Sequence, residues 1–360
     1  TCALPIYLVY KPGLSLTEFL DRETFSGIFQ LDVFQSMHKH IRKYFNDERL
    51  IKLLEFPILF LGATPKNTPA LYSLMNYADI KLGTWYPDGG MNKIIEAMVA
   101  LAEEKGVKFY VNQEVEKLAY FNNSVTHIIT TEKTFDADYV VCSGDYHHFD
   151  QNILEHKYRN YSESYWNKRV LAPSSLLFYV GIDKKLKNIS HHCLFFDKDF
   201  EKHAEEIYTT PRWPSEPLFY ASFTSQSDSS VAPKGCENMF LLIPIAPDLE
   251  DNKITRDRYF DLILSRLEKL TNQKIKEHII YKKSYAISDF KKDYFSFKGN
   301  AYGLANTLYQ TAILKPRLKN KKLNNLFFCG QLTVPGPGVP PSLISGNVVS
   351  KEISKSIAKS

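Results

Sequence analysis

The sequence has little that would tie it to several common chemistries. It contains no GxGxxG dinucleotide fingerprint, no GxxxxGK[ST] phosphate loop and no GxSxG nucleophile elbow, which removes the simplest signatures of nucleotide binding and serine hydrolysis. Cysteine is scarce: Cys2, Cys142, Cys193, Cys236 and Cys329 are odd in number, widely spaced and free of CxxC pairs. That pattern suits neither a disulfide framework nor a zinc cluster and fits a reducing compartment. The histidine pairs His147-His148 and His191-His192 are adjacent rather than three or four apart, so their rings diverge and no metal site is expected. Long apolar runs are also missing. Tyr7 to Tyr10 is too short for a signal peptide, the run Phe56 to Ala63 stops at Pro65 and Lys66, and the uncharged stretch Asn324 to Ser350 is broken by Pro335, Pro337, Pro340 and Pro341. No segment therefore offers the ~20 apolar residues of a membrane-spanning helix.

What is present is an ordinary globular composition with one excess. In 360 residues, 44% are hydrophobic and 24% charged, enough to bury one large or two interleaved cores. The formal charge of +5 is too small for a nucleic-acid footprint, though compatible with an anionic membrane surface. Aromatics reach 14%, carried by 24 Phe and 22 Tyr, so extensive apolar surfaces must be lined somewhere. The chain does not begin with Met, and Thr1 to Ile6 reads as a non-native tail; a fragment lacking its N-terminal part is expected.

Periodicity sketches the elements. Phe34, Met37, Ile41, Tyr44 and Phe45 recur at helical spacing between Ile28 and Phe45, with Lys39, Arg42 and Lys43 on other faces, which predicts a basic amphipathic helix. Asn46 or Asp47 caps a second helix ending near Leu54. The turn cluster Thr84 to Gly90 feeds a helix over Met91 to Lys105, closed by Gly106, and Val107, Phe109 and Val111 alternate as a strand. Val115 to Phe121 and Val125 to Thr131 flank Asn122-Asn123-Ser124 as a hairpin. Tyr139 to Cys142 is short and continuously apolar, as in a parallel sheet. From Ser174 onward, separated strands at Leu176–Gly181, Leu218–Phe223 and Met239–Ile245 and a helix at Thr255–Leu270 suggest a second lobe.

The strongest local signal is Leu326 to Ser342, in which an apolar strand ends in Gly330, a Gly/Pro loop crosses, and a helix begins near Pro341. Such a connector permits close approach of backbone to a ligand and turns a helix N-terminus toward negative charge. A rigid connection with no ligand is the competing reading.

Three segments in order carry a resemblance. Trp85-Tyr86-Pro87-Asp88-Gly89-Gly90-Met91, Gly299-Asn300-Ala301-Tyr302-Gly303-Leu304, and Gly330-Gln331 through Ser345-Gly346 are similar to motifs of the carotenoid (phytoene) desaturases, most closely those of Bacteroidetes-type bacteria, within the amine-oxidase-like flavoprotein superfamily. The resemblance implies an α/β, glutathione-reductase-like FAD-binding fold, incomplete because the N-terminal dinucleotide-binding unit is missing, interleaved with an α+β substrate and membrane domain. Its implied layout is a tail over 1–6, a helical substrate and membrane part over 7–81, flavin-domain parts over 82–170 and 291–360, and a substrate domain over 171–290. It implies FAD as cofactor, held by Val115, Gly330, Gln331, Gly338, Val339, Pro340 and Ser342. Relatives often carry an acidic residue where Gln331 stands. Trp85, Tyr86, Gly89, Gly90 and Tyr302 are implied to line a substrate channel, and no catalytic residue is named. The implied activity is dehydrogenation of phytoene or a related carotenoid by hydride transfer to flavin, on the inner face of the cell membrane, with the fragment inactive alone. A carotenoid cis/trans isomerase, a flavin amine oxidase and a non-enzymatic isoprenoid-binding escort protein share these features and stay open.

Overall fold

The computed structural model describes residues 9–19, 35–61 and 64–358. Two compact units emerge, each assembled from separate stretches of chain. The first combines the chain up to Tyr77 with Val111–Ala172 and Lys291–Ser360; the second combines Ala78–Tyr110 with Pro173–Phe290.

In the first unit, the expected hairpin forms between Val115–Phe121 and Ser124–Thr130, and Thr134–Asp136 adds a third antiparallel strand. Asn122 and Asn123 make the turn at φ 45° and 57°, a conformation that asparagine tolerates and larger side chains resist. Val140–Cys142 pairs in parallel with Leu326–Phe328, bringing together segments far apart in the chain. Asn325 ties this pair to the hairpin: its Oδ1 accepts from Val125 N at 2.8 Å, and its Nδ2 donates to Val125 O at 2.7 Å and Asp138 O at 2.8 Å. Below the strand, Tyr146 stacks on Phe328 with ring centroids 3.8 Å apart, and Trp166 is fully buried against Tyr146.

The N-terminal part of this unit differs from expectation. The residues before position 35 of the basic amphipathic helix lie outside the described residues, and the described portion is a short helix, Met37–Ile41, capped by Ser36. Tyr44 N and Phe45 N both donate to Ile41 O, tightening the chain into a turn. Asp47 then caps the helix Glu48–Glu55, as expected. Met37, Ile41 and Ile51 are buried, whereas Tyr44, Phe45, Leu50 and Leu53 are exposed.

The second unit is built on a five-stranded antiparallel sheet in the order His192–Phe195, Phe219–Ser222, Glu237–Ile245, Ser174–Ile182, Ile279–Tyr285. The helix Lys253–Thr271 starts at an Asn252 cap and ends where Asn272 turns left-handed. It lays Phe260, Ile263, Leu264 and Leu267 on the sheet residues Leu176, Phe178, Leu241 and Ile243. The helix Asn92–Glu104 also forms as predicted, but the strand expected at Val107–Val111 does not. An alternating segment becomes a strand only when its N–H and C=O groups find a partner backbone, and among the described residues none pairs with this one. Val107, Phe109, Tyr110 and Val111 are exposed, as are Ile95, Met98 and Leu101 of the preceding helix.

Candidate functional site

The Gly/Pro connector is held by buried hydroxyls. Chain extension from the Leu326–Phe328 strand continues to Cys329, whose N donates to Cys142 O at 2.9 Å. Gly330 then turns at φ 103°. Its N–H donates to Ser345 Oγ at 3.1 Å and its carbonyl accepts from Thr333 Oγ1 at 2.8 Å, while the two hydroxyls lie 3.0 Å apart. Thr333 and Ser345 are both fully buried, so the closing helix clamps the very glycine at which the strand ends.

That helix spans Val339–Ile357, two residues earlier than the sequence suggests, and its cap is Gly338 at φ 114°. Pro340 and Pro341 have no N–H, so of the first three helical residues only Val339 can offer an amide outward. The helix start contributes its dipole and one donor, rather than a full turn of donors. Gly338, Val339, Pro340 and Ser342 are all exposed.

The second motif seats directly on the connector. Gly303 lies at φ 83°, and a Cβ placed on it would stand 2.7 Å from Gln331 O. Asn300 fixes this approach, with Oδ1 accepting from Gly303 N at 2.6 Å and Nδ2 donating to Phe297 O at 2.7 Å. Asp145 carries the chain inward by capping His148 N at 2.9 Å and accepting from Phe297 N at 3.1 Å; burial raises its pKa despite these bonds.

Further along the connector, Gly336 at φ 137° packs against two buried polar side chains. A Cβ there would meet Asn306 Oδ1 at 3.3 Å and Lys315 Nζ at 3.5 Å. Both residues are buried, and neither of those two atoms has a hydrogen-bond partner. Burial alone lowers the Lys315 pKa to about 8. Three glycines at positive φ and an open helix start match the needs of a flat, electron-poor ring that gains negative charge on reduction. The residues present therefore fit a flavin.

In the second unit, the turn Trp85–Met91 is organised by Asp228. Its Oδ2 accepts from Gly89 N at 2.9 Å and from Tyr86 Oη at 3.2 Å, and its Oδ1 accepts from Ser230 N at 2.8 Å and Ser230 Oγ at 2.6 Å. These donors, the serine foremost, hold the Asp228 carboxyl at about 2. Tyr86 sets its ring against His191 with centroids 4.8 Å apart. His191 Nδ1 lies 2.5 Å from Ser227 Oγ, while Nε2 is buried without a hydrogen-bond partner. His192 Nδ1 is 2.5 Å from Tyr220 Oη, and burial lowers the pKa of both histidines.

Gly330, Gln331, Gly338, Val339, Pro340 and Ser342 thus lie along one connector, with Gly303 against it and Tyr302 half-buried beside Gly303. Val115 is half-buried at the start of the hairpin, opposite Thr130. Trp85, Tyr86, Gly89 and Gly90 share the Asp228 turn, where Trp85 is 86% exposed. Sequence reasoning missed Thr333, Asn306, Lys315 and Asp228. Thr333 lies inside the quoted segment and could have been found; an isolated Asp 140 residues from its turn gives no local signal.

Comparison with known proteins places this geometry. Residues 22–354 match the model of the flavin containing amine oxidoreductases. The carotenoid 3,4-desaturase of Haloarcula japonica is 34% identical over 97% of this chain and 71% of that protein. The zeta-carotene-forming phytoene desaturase of Myxococcus xanthus is 26% identical over 96% of this chain and 67% of its own length; the chain spans about two thirds of the length of such relatives. An oxidoreductase from Methanosarcina mazei of solved structure shares the fold with a TM-score of 0.60 at 18% identity, covering 95% of this chain and 75% of that one. The chain belongs to the flavin-containing amine oxidoreductase family, in its carotenoid-desaturase branch.

Proposed function

We propose that the protein dehydrogenates phytoene or a related carotenoid intermediate with FAD as oxidant. The observation that carries this reading is the likeness to carotenoid desaturases through nearly the whole chain, including the connector built around Gly330 and Gly338. Bound flavin supplies the hydride acceptor, which explains why no nucleophile or catalytic triad is needed. Val115, Gly330, Gln331, Gly338, Val339, Pro340 and Ser342 are the residues assigned to holding it. The glycines leave room for the ring, and the helix dipole at Val339 favours the negative charge of the reduced form.

A polyene hydrocarbon offers side chains no polar handle, so its binding rests on buried apolar area at roughly 25 cal/mol per Å². Trp85, Tyr86, Gly89 and Gly90 in the second unit, and Tyr302 in the first, are the residues assigned to contact with it. The finer architecture follows the same reading: a glutathione-reductase-like flavin domain drawn from 82–170 and 291–360, a substrate domain over 171–290, and a membrane-associated part within 7–81. In support of the last, Tyr44, Phe45, Leu50 and Leu53 are exposed near Lys43, Arg49 and Lys52, a mixture suited to an anionic lipid interface. Among the described residues no helix is long and apolar enough to cross a membrane, so the attachment we propose is peripheral, on the inner face of the cell membrane.

The test is incubation of the complete gene product with FAD and phytoene in liposomes, followed by chromatography with absorption spectra. New conjugated double bonds are expected, and their absence under conditions where flavin is bound would overturn the reading.

A further inference from the structure

An open cleft of about 570 Å³ in the first unit lies between three stretches of chain, 35–36 with 66–69, 168–170 and 307–310. Its lining carries three cations, Lys66, Lys168 and Arg169, and among the described residues no carboxylate. Lys66 and Lys168 are exposed, and among the described residues neither Lys168 nor Arg169 forms an ion pair. The Tyr165 ring holds Arg169 in place, with the guanidinium carbon 4.4 Å from the ring centroid, a cation–π contact that leaves the charge uncancelled. Because Arg169 Nε is enclosed, only the Nη end is left to meet a ligand. Like charges gathered in this way repel one another, and an anion among them removes that cost. Backbone contacts set the walls in advance. Ser36 bridges to Pro69, Ala70 N donates to Gln35 O at 2.7 Å, and Gln310 accepts from Val170 N at 2.9 Å while donating to Val170 O at 2.8 Å. Ser36 Oγ accepts from Lys39 N at 3.3 Å, which leaves its hydroxyl proton to donate beside the cations. Val170 and Tyr309 line the same cleft and are 50% and 84% exposed, so apolar, aromatic and cationic groups meet at its mouth. That combination suits a membrane–water boundary. Lys43 Nζ donates to Gln35 Oε1 at 2.5 Å, joining the cleft to the exposed Tyr44 and Phe45.

We propose that this cleft binds a phosphate group, presented at a bilayer surface by the headgroup of an anionic phospholipid. A phosphate carries its charge on several oxygens and accepts from several donors at once, which suits one guanidinium, two ammonium groups and a hydroxyl converging on one space. A polyene hydrocarbon gains nothing from such a lining, so the ligand is not the substrate. In its lipid form the inference rests on the membrane attachment proposed above and deepens it: attachment selects a headgroup as well as inserting apolar side chains.

The experiment measures co-sedimentation of the complete gene product with phosphatidylcholine vesicles that carry either phosphatidic acid or, at matched surface charge, palmitate, together with calorimetric titration by inorganic phosphate. The parent is compared with the double variant Lys66→Gln, Lys168→Gln and with the double variant Lys117→Gln, Lys322→Gln, which removes the same charge from exposed lysines outside the cleft. Both cleft lysines are exposed, so their replacement leaves the core intact. The parent is expected to prefer phosphatidic acid to palmitate. The cleft variant should bind the phosphatidic acid vesicles more weakly, by about fivefold for each lysine, and the control should stay within about twofold of the parent, because charges away from the lipid are screened. Inorganic phosphate taken up by the parent and not by the cleft variant, with no preference between the vesicles, supports the site and makes soluble phosphate its source. Equal losses in the two double variants, or no preference between the vesicles together with no uptake of phosphate, overturn the proposal while leaving membrane attachment standing. A parent that binds no vesicle overturns the attachment reading, and the phosphate titration then decides the site by itself.

Discussion

Substitution of Gly303 by alanine tests the contact on which the connector depends. Two separable penalties act there. At φ 83° an L-residue is strained, by about 1–2 kcal/mol. The new Cβ would also lie 2.7 Å from Gln331 O, closer than real Cβ contacts come, so a backbone carbonyl has to move; overpacking of this kind costs about 1–3 kcal/mol. Two glycines of the same unit separate the terms. Gly330, at φ 103°, would place its Cβ 3.5 Å from Ser143 O, an ordinary contact, and Gly144 has neither positive φ nor any neighbour within 4 Å. The expected order of destabilisation is therefore Gly144→Ala near zero, Gly330→Ala about 1–2 kcal/mol and Gly303→Ala about 2–5 kcal/mol. For a folding unit of about 200 residues, the last corresponds to a fall in Tm of roughly 5–15 °C. Differential scanning calorimetry reads the transitions, and absorbance of bound flavin reports whether the connector still presents its site. Equal Tm values for Gly303→Ala and Gly330→Ala would show that the approach to Gln331 exerts no constraint, and the link between the two motifs would fall.

Further outcomes follow from the buried and paired groups. His203 accepts from Leu218 N at Nδ1, 3.1 Å away, and donates to Pro244 O from Nε2 at 2.9 Å; this fixes a neutral ring, and burial lowers its pKa from 6.5 to about 4. The unfolded chain then binds the extra proton more readily, so the second unit loses stability as pH falls from about 6.5 toward 4, by on the order of 3 kcal/mol at the acid end; a melting profile flat between pH 7 and 5 would contradict this. Asp228, held at about 2, supports its turn above pH ~4 and gives up that support as pH drops toward 2. Asp228→Asn should abolish this acid step and increase hydrogen exchange at Gly89, and an unchanged exchange rate would remove Asp228 from its organising role. Cys142 is buried, and its thiol is pushed up to about 12, so at neutral pH it should resist a thiol-specific disulfide reagent until the first unit unfolds; fast labelling of Cys142 in the native protein would refute its placement.

Legibility in the sequence followed the range of the interactions involved. The hairpin at Asn122-Asn123, the Asp47 cap and the helix Lys253–Thr271 were readable because their signals are local: two residues that tolerate positive φ, one capping carboxylate, one apolar face. The two outer strands of the second unit, His192–Phe195 and Ile279–Tyr285, were missed because the first is a short run beside histidines and the second is interrupted by the adjacent Lys282 and Lys283, so neither reads as apolar. Val107–Val111 shows the converse. Its alternation is that of a strand, yet a strand is a relation between two backbones, and no described segment supplies the other half. At the candidate site, the glycines were visible as residues but their reasons were not: Gly303 is required by Gln331, and Gly336 by Asn306 and Lys315, partners that only tertiary structure brings within reach.

The distribution of satisfied and unsatisfied groups argues that the connector region is shaped by something other than stability. Elsewhere in the first unit, several buried polar side chains are compensated, although Tyr120 Oη and Arg169 Nε also have no hydrogen-bond partner. Asp150 receives Asn160 N at 2.7 Å, Tyr161 N at 3.1 Å and Trp166 Nε1 at 3.3 Å, and Asn325 uses both ends of its amide. In the second unit Glu237 takes Lys185 at 3.3 Å, Gln226 at 2.6 Å and the Ser225 hydroxyl. A chain able to pair these groups could have placed methionine at 315 and saved the desolvation of an ammonium. It instead keeps that cation, an unmatched amide oxygen and three glycines at positive φ within one stretch of backbone and its immediate neighbours. Sequences concentrate such local costs where a ligand repays them. The Lys315→Met variant should accordingly be at least as heat-stable as the parent by differential scanning calorimetry. A markedly lower Tm for Lys315→Met would show that the buried ammonium is compensated after all, and the argument from its desolvation would fail.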